Sequence, residues 1–243
     1  MGANPFDPTA ADEQSPSEAE SLERKRRFAL APTDPVPAVL PATDAGAEAA
    51  GRQLTLLGWG LVPPWAAPST AAQRINARVE TVLDKPSFRR AVRRQRCLLP
   101  ADGWYEWVRT PEGRRPHLVR PADGGLLAFA GIYERARRPD GSRLRTCSVL
   151  TGPAPVAVEW LHERAPLLVP VERWDDWLDP DVDVEALLTD LLDGPPRALD
   201  VTEVSTAVNS VRNTGPELLE PVASAEPVTS AESVPPPEQA ALW

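Results

Sequence analysis

With only two histidines, two cysteines, one methionine and two tyrosines in 243 residues, this chain has little from which to build a metal centre or a thiol framework. Cys97 and Cys147 each sit in an apolar, strand-like run with no CxxC spacing, so they read as small buried hydrophobes in a reducing compartment. A zinc site is not expected from so few ligands. Asp179, Asp181 and Asp183 alternate like the opening of a calcium loop, but no glycine or closing glutamate follows where that loop requires them. A solvated connection between helices is the simpler reading. Neither a glycine-rich phosphate loop nor a GxSxG elbow occurs, and no cofactor is expected. Apolar runs are too short to span a bilayer and the first residues lack a signal-peptide core, which predicts a soluble, cytoplasmic protein with no membrane partner.

Charge is present in quantity but unevenly placed. The formal net charge of −9 argues at first against nucleic acid. Residues 1–23 hold six acids and no Lys or Arg, and residues 216–243 hold five more acids, again with no base. Taking those eleven from the 35 acids leaves 24 against all 26 bases, so the body of the chain is slightly cationic. From Arg74 to Arg96 eight bases stand against only Glu80 and Asp84. Such a run is either a nucleic-acid-facing patch or a solvated helix face. The two ends, poor in residues worth burying, read as disordered tails over 1–23 and 223–243, which leaves one domain over 24–222.

Within that domain the pattern predicts many short strands with a few helices between them. FALAPTDPVPAVL is an extended, proline-punctuated segment expected at the edge of the fold. LTLLGWGLVPPW (54–65), HLVR (117–120), LLAFAGIYE (126–134), LRTCSVLT (144–151), LLVP (167–170) and ALDVTEVS (198–205) read as strands, several set apart by Asp-Gly turns. Residues 155–161 read as a short helix, and 171–178 and 184–192 as amphipathic helices. The sum is an α+β fold.

The stretch 75–107, INARVETVLDKPSFRRAVRRQRCLLPADGWYEW, concentrates polar, basic and aromatic residues. Asn76 and Arg78 alternate along its extended opening, and Glu106 lies between Trp104 and Trp107. Apolar walls raise a carboxyl pKa and fit it for proton transfer; the alternative is a strand with its aromatics inward and Glu106 outward. His162 has Glu163 and Arg164 beside it and, as an imidazole able to take or give a proton, is open to a catalytic or a structural reading. Asn209, Arg212 and Asn213 either line a groove or cap local turns.

Taken in order, RFALAPT, WGLVPPW, INARVET, KPSFR, RCLLPADGWYEW, AFAGIYE, LHERAPLLVP, WDDWLDP and VSTAVNSVRNTGPELLEPV resemble the SOS response-associated peptidase (SRAP) family of abasic-site-processing proteins, over about residues 27–222. The resemblance implies a single α+β domain whose mostly antiparallel or mixed β-sheet curls into a barrel-like core with flanking helices. It implies a monomer that binds single-stranded DNA, or single-strand/double-strand junctions, carrying abasic sites. In that family the cysteine after the initiator Met closes a thiazolidine ring with the open aldehyde of the lesion. The assisting Asn, Glu and His fall on Asn76, Glu106 and His162. Asn76 would position the N-terminal residue, Glu106 would shuttle protons, and His162 would help with sugar ring opening or crosslink reversal. Arg78 and Arg164 fall where the family grips phosphate, Trp65 and Trp107 where aromatics meet unstacked bases or sugar, and Pro32 on the DNA-facing side.

One departure touches the chemistry. The family opens Met-Cys-Gly-Arg, whereas this chain opens Met1-Gly2-Ala3-Asn4. The expectation is therefore DNA binding without a stable crosslink. Two alternatives stand beside it: a residual lyase acting through a Gly2 α-amine freed by removal of Met1, and a non-catalytic protein-interaction module on the same fold.

Overall fold

The computed structural model describes residues 28–42, 51–137 and 141–222. The segments read as tails, 1–23 and 223–243, lie outside the described residues, as does most of the loop after residue 42. The strands are β1 (Pro35–Pro41), β2 (Arg52–Trp59), β3 (Asn76–Arg78), β4 (Arg96–Ala101), β5 (Trp104–Thr110), β6 (Gly113–Pro121), β7 (Leu127–Arg137), β8 (Arg143–Pro153), β9 (Arg164–Pro166) and β10 (Leu199–Glu203). Among the described residues three α-helices accompany them: α1 (Arg89–Arg94), α2 (Trp174–Leu178) and α3 (Val184–Asp193).

Seven strands form one mixed sheet that closes on itself. Its order is β2-β1-β4-β7-β8, and β8 returns to β2 through the parallel pairs Gly58↔Thr146 and Trp59↔Cys147. The result is a five-stranded barrel, with β3 and β9 as further partners of β8. Closure removes the free edges that an open sheet would have to protect. Alternate residues explain why these strands read as continuous apolar runs. Cys97 and Leu99 of β4, Phe129 and Tyr133 of β7, and Cys147 and Val149 of β8 belong to one buried cluster. Leu98, Ala130, Ile132 and Leu150, from the same strands, join a second cluster with Phe88, Val92, Trp177 and Leu187. A strand covered on both faces has no polar side to show. Gly131 is required by this packing, because a Cβ there would lie 2.7 Å from Cys97 Sγ and 2.9 Å from Leu99 Cγ.

A second, three-stranded sheet, β10-β6-β5, has its own two buried faces. Tyr105 and Trp107 lie with Leu118, Val204, Val208 and Leu218 on one side. Trp104 and Val108 lie with Val119, Val158, Leu161 and Ala165 on the other.

Three expectations change. The proline-punctuated segment is no edge: β1 pairs along its whole length with β2 and also bridges β4, although only at Val39↔Leu98. Prolines at 35, 37 and 41 lack the N–H that fuller pairing would use. Residues 155–161 form hydrogen-bonded turns, not a helix. LLVP contributes one isolated bridge, Phe129↔Leu168, and the paired strand is the preceding Arg164–Pro166. The alternating aspartates resolve into connection chemistry. Asp183 Oδ1 accepts from the Glu185 amide to cap α3, Asp179 accepts from the Asp181 amide, and Asp181 pairs with Arg94.

Candidate functional site

The entry to β3 is fixed by its neighbours. Gly60 has φ +133°, and a Cβ on it would meet the Ala71 carbonyl oxygen at 2.5 Å. Only glycine lets the 3-10 turn Pro68–Arg74 pack this close. The Leu61 amide then bonds to the Arg74 carbonyl at 3.0 Å, and the Trp59 indole N–H reaches the Ile75 carbonyl at 2.9 Å. From there β3 runs parallel to β8, with Asn76 opposite Val149 and Arg78 opposite Thr151. Ala77 is buried while Asn76 and Arg78 are exposed, so both polar side chains leave the same side of the strand.

Across β8 lies β9, in the register Thr151↔Pro166 and Pro153↔Arg164. Arg164 turns its guanidinium back toward β3. Nη2 donates to the Thr151 carbonyl at 2.6 Å, while Nη1 and Nη2 hold both carboxylate oxygens of Glu80, at 2.8 and 3.0 Å. That pairing is the first cause of a Glu80 carboxyl held below its ordinary range; partial burial opposes it, and the charge of Arg78 adds to it. Arg78, Glu80 and Arg164 thus form one charged cluster.

His162 precedes this cluster by two residues and is exposed. Its Nδ1 lies 3.0 Å from the Arg164 amide and 3.2 Å from the Arg164 carbonyl, which anchors the ring to the start of β9. Glu106 is half-buried on β5. Burial raises its carboxyl pKa; the nearby charge of His162 and a 3.4 Å hydrogen bond from the Trp107 amide only partly oppose that rise. The apolar wall is not the one the sequence suggested. In a strand of period two, Tyr105 and Trp107 point to the opposite face, and the flanking apolar residues on the side of Glu106 are Trp104 and Val108, packed with Leu161 and Ala165. Aromatics inward and Glu106 outward is therefore not the arrangement, because Trp104 shares its side.

The remaining candidates surround this line of contacts. Trp107 donates its indole N–H to Asn209 Oδ1 at 2.7 Å, which holds the ring in place, and it packs at 6.4 Å from Tyr105. Trp65 is 66% exposed, with the Arg74 guanidinium 5.8 Å from its ring centre. Pro32 is exposed in a turn closed by the Asp34 amide on the Ala31 carbonyl, and Thr33 takes the positive φ of 76° that this turn demands. That turn is tied to Trp59 by bonds of 2.7 and 2.9 Å, and through Trp59 to the start of β3. Asn213 caps a local turn through the Ala207 carbonyl, whereas Asn209 serves Trp107.

The cationic run divides. Arg96 is buried and donates to the carbonyls of Val92, Arg93, Trp177 and Asp179. Arg90 pairs with the buried Glu134, Arg94 with Asp181, and Arg93 bonds to the Leu83 and Arg89 carbonyls. Most of this patch builds the fold. Cys97 and Cys147 are both fully buried, and burial pushes each thiol pKa well up, so neither offers a thiolate at the surface. Two residues went unassigned in the sequence reading. Glu80 stands four residues after Asn76 within INARVET, a signal that was available. His117 lies directly across from Glu106 on β6 and edge-on to Trp160 at 5.4 Å, a placement that only strand register reveals.

Comparison with known proteins identifies the family and the fold. The model of the family described as SOS response associated peptidase (SRAP) matches residues 5–211. The abasic site processing protein YoqW of Bacillus subtilis is 37% identical over 176 residues, covering 71% of this chain and 79% of that one. The Escherichia coli abasic site processing protein YedK is 29% identical over 170 residues, 68% of this chain and 73% of its own. A solved protein of Bacteroides thetaiotaomicron superposes with a TM-score of 0.72 at 21% identity, over 88% of this chain and 94% of that one, a likeness of fold. A Bordetella bronchiseptica protein superposes with a TM-score of 0.62 at 25% identity, over 72% and 86%.

Proposed function

Because the chain belongs to the SOS response associated peptidase family, whose relatives include proteins named for abasic site processing, we propose that it binds single-stranded DNA and recognises abasic sites without forming a stable crosslink. The observation that carries this reading is the cluster in which Arg164 holds Glu80 and bonds through its amide to the His162 ring, with the charge of Arg78 acting on Glu80 and that of His162 on the half-buried Glu106. In this reading Arg78 and Arg164 hold backbone phosphates, because charge-assisted contacts to phosphate supply affinity without reading sequence. Exposed Trp65 and anchored Trp107 give unstacked bases or the open sugar a surface, and Pro32 completes the DNA-facing side. Asn76 leaves β3 on the same side as Arg78 and positions the residue that meets the lesion.

Thiazolidine formation needs an amine and a thiol on one residue. The amine and aldehyde lose water to give an imine, and the thiol then adds across the C=N bond to close the ring. In this sequence Gly2 follows Met1, and both cysteines lie in the barrel interior. An α-amine alone stops at the imine, which water reverses. Glu106, with a raised carboxyl pKa and the charge of His162 near it, suits such proton transfers and favours imine-mediated strand cleavage as the second reading.

Fluorescence anisotropy on labelled single strands with and without one abasic site tests the first reading. Salt-sensitive binding, abolished by Arg78→Glu with Arg164→Glu, supports it; undiminished binding by that double variant would refer the charges to a protein partner. Borohydride trapping tests the second, which requires an adduct at Gly2.

A further inference from the structure

The carboxylate of Glu80 has no assigned role, yet it sits where a phosphate would. Arg164 presents the end of its guanidinium fork to Glu80, one oxygen to each Nη, and the second proton of Nη2 is spent on the Thr151 carbonyl. The Nε–H is buried and has no partner among the described residues. Two oxygens meeting a guanidinium fork is also the geometry of an arginine–phosphate contact. While Glu80 stays, Arg164 has no fork to offer a DNA backbone. The two side chains differ in freedom: Arg164 is 17% exposed and pinned by Thr151, whereas Glu80 is 46% exposed in the 3-10 turn Val79–Thr81 that follows β3. Arg78 lies close enough to add its charge to the same carboxylate.

We propose that Glu80 is an internal stand-in for phosphate, an autoinhibitory contact that keeps Arg164 ordered and occupied until the backbone of a DNA strand displaces it. This rests on the DNA-binding reading above and adds its regulation. Displacement exchanges one anion for another on a prearranged fork, so Arg164 never stands uncompensated in its mostly buried position. It also excludes weaker anions, since a competitor must outbid a carboxylate already in place. A single strand that engages Arg78 at the same time does so through two linked contacts; a lone anion does not.

The test is equilibrium binding of an abasic single strand, read by anisotropy across a salt series, for wild type, Glu80→Gln, Arg164→Met and the double variant, each checked for folding by thermal melting. Glu80→Gln should bind about 3- to 10-fold tighter, with the slope of log K against log salt little changed, because wild type and variant make the same phosphate contacts once Glu80 is displaced. The gain should vanish in the Arg164→Met background. If Glu80→Gln does not fold, Glu80→Asp carries the test, and a gain of roughly twofold is expected of a carboxylate too short to span the fork. Unchanged or weaker binding by the Glu80 variant overturns the proposal, and so does an equal gain without Arg164, which would mark Glu80 as mere negative charge near the site. Absence of DNA binding by wild type and Glu80→Gln alike removes the DNA reading and this proposal with it; binding by wild type with no effect at Glu80 removes this proposal alone.

Discussion

Glu106 is a carboxyl whose neighbours disfavour its charge. Its folded-state pKa is raised, chiefly by burial, above that of the unfolded chain. Below the unfolded carboxylate range both states hold the proton and the residue costs nothing. As pH rises through the folded-state pKa the charge is forced into a half-buried position, and stability is lost. Glu106→Gln should therefore melt at a higher temperature than wild type at neutral pH, with the difference fading toward pH 4; paired melting curves across pH check it, and a constant difference would contradict the assignment. The sequence made Glu106 conspicuous through its aromatic neighbours, but of these only Trp104 shares its face, and Tyr105 and Trp107 lie on the other. Its surroundings come instead from Leu161 and Ala165, some 55 residues on, whose approach no local pattern encodes. The same holds for His117 opposite it. For Arg78 and Asn76 the alternation Asn76-Ala77-Arg78 was enough, because a strand of period two places both on one side.

At the scale of elements, the arginines of α1 show where a charge pattern misleads. Counting bases from Arg74 to Arg96 suggested a groove for a polyanion. Yet Arg96 closes the end of α1 and ties it to α2, donating to four carbonyls while its guanidinium lies 5.6 Å from the Trp177 ring centre. Arg96→Met should leave those acceptors unpaired and cost about 2–4 kcal/mol, read from urea unfolding midpoints; a loss of a few tenths would mean that water satisfies them. A helix of six residues has no room for that information in its periodicity, and two of the four acceptors come only with the return of Trp177–Asp179. Strands were more legible. The runs at 126–134 and 144–151 are buried along most of their length because the barrel interior covers one face and the helices the other. Gly131, by contrast, is explained only by its partner strand. Gly131→Ala should cost about 1–3 kcal/mol by pressing a methyl onto Cys97 and Leu99, and Cys97→Ala in the same chain should restore part of it. Chemical denaturation of the single and double variants measures this; additive losses would contradict the contact.

For the molecule as a whole, the fold class and the barrel-like core were legible through ordered motifs, whereas the closure through β2 and β8 was not. Those strands pair in parallel at only two positions, with Gly58 and Thr146 far apart in sequence. That closure is functional geometry as well as packing, since β8 carries β3 on one side and β9 on the other, bringing Arg78 and Arg164 to a common carboxylate. The acidic ends hid a near-neutral body from any argument based on net charge. Within that body the charges of the proposed DNA-facing site are few: Arg78 exposed, Arg164 paired with Glu80, Glu106 half-buried and His162 exposed. The most direct test of the central claim is a paired native and denaturing gel on a labelled single strand carrying one abasic site, with purified protein at low salt and no reductant. The account predicts a retarded complex on the native gel, weakened by salt, and complete release of uncrosslinked DNA on the denaturing gel. No retardation, or a denaturation-resistant adduct formed without borohydride, would contradict it.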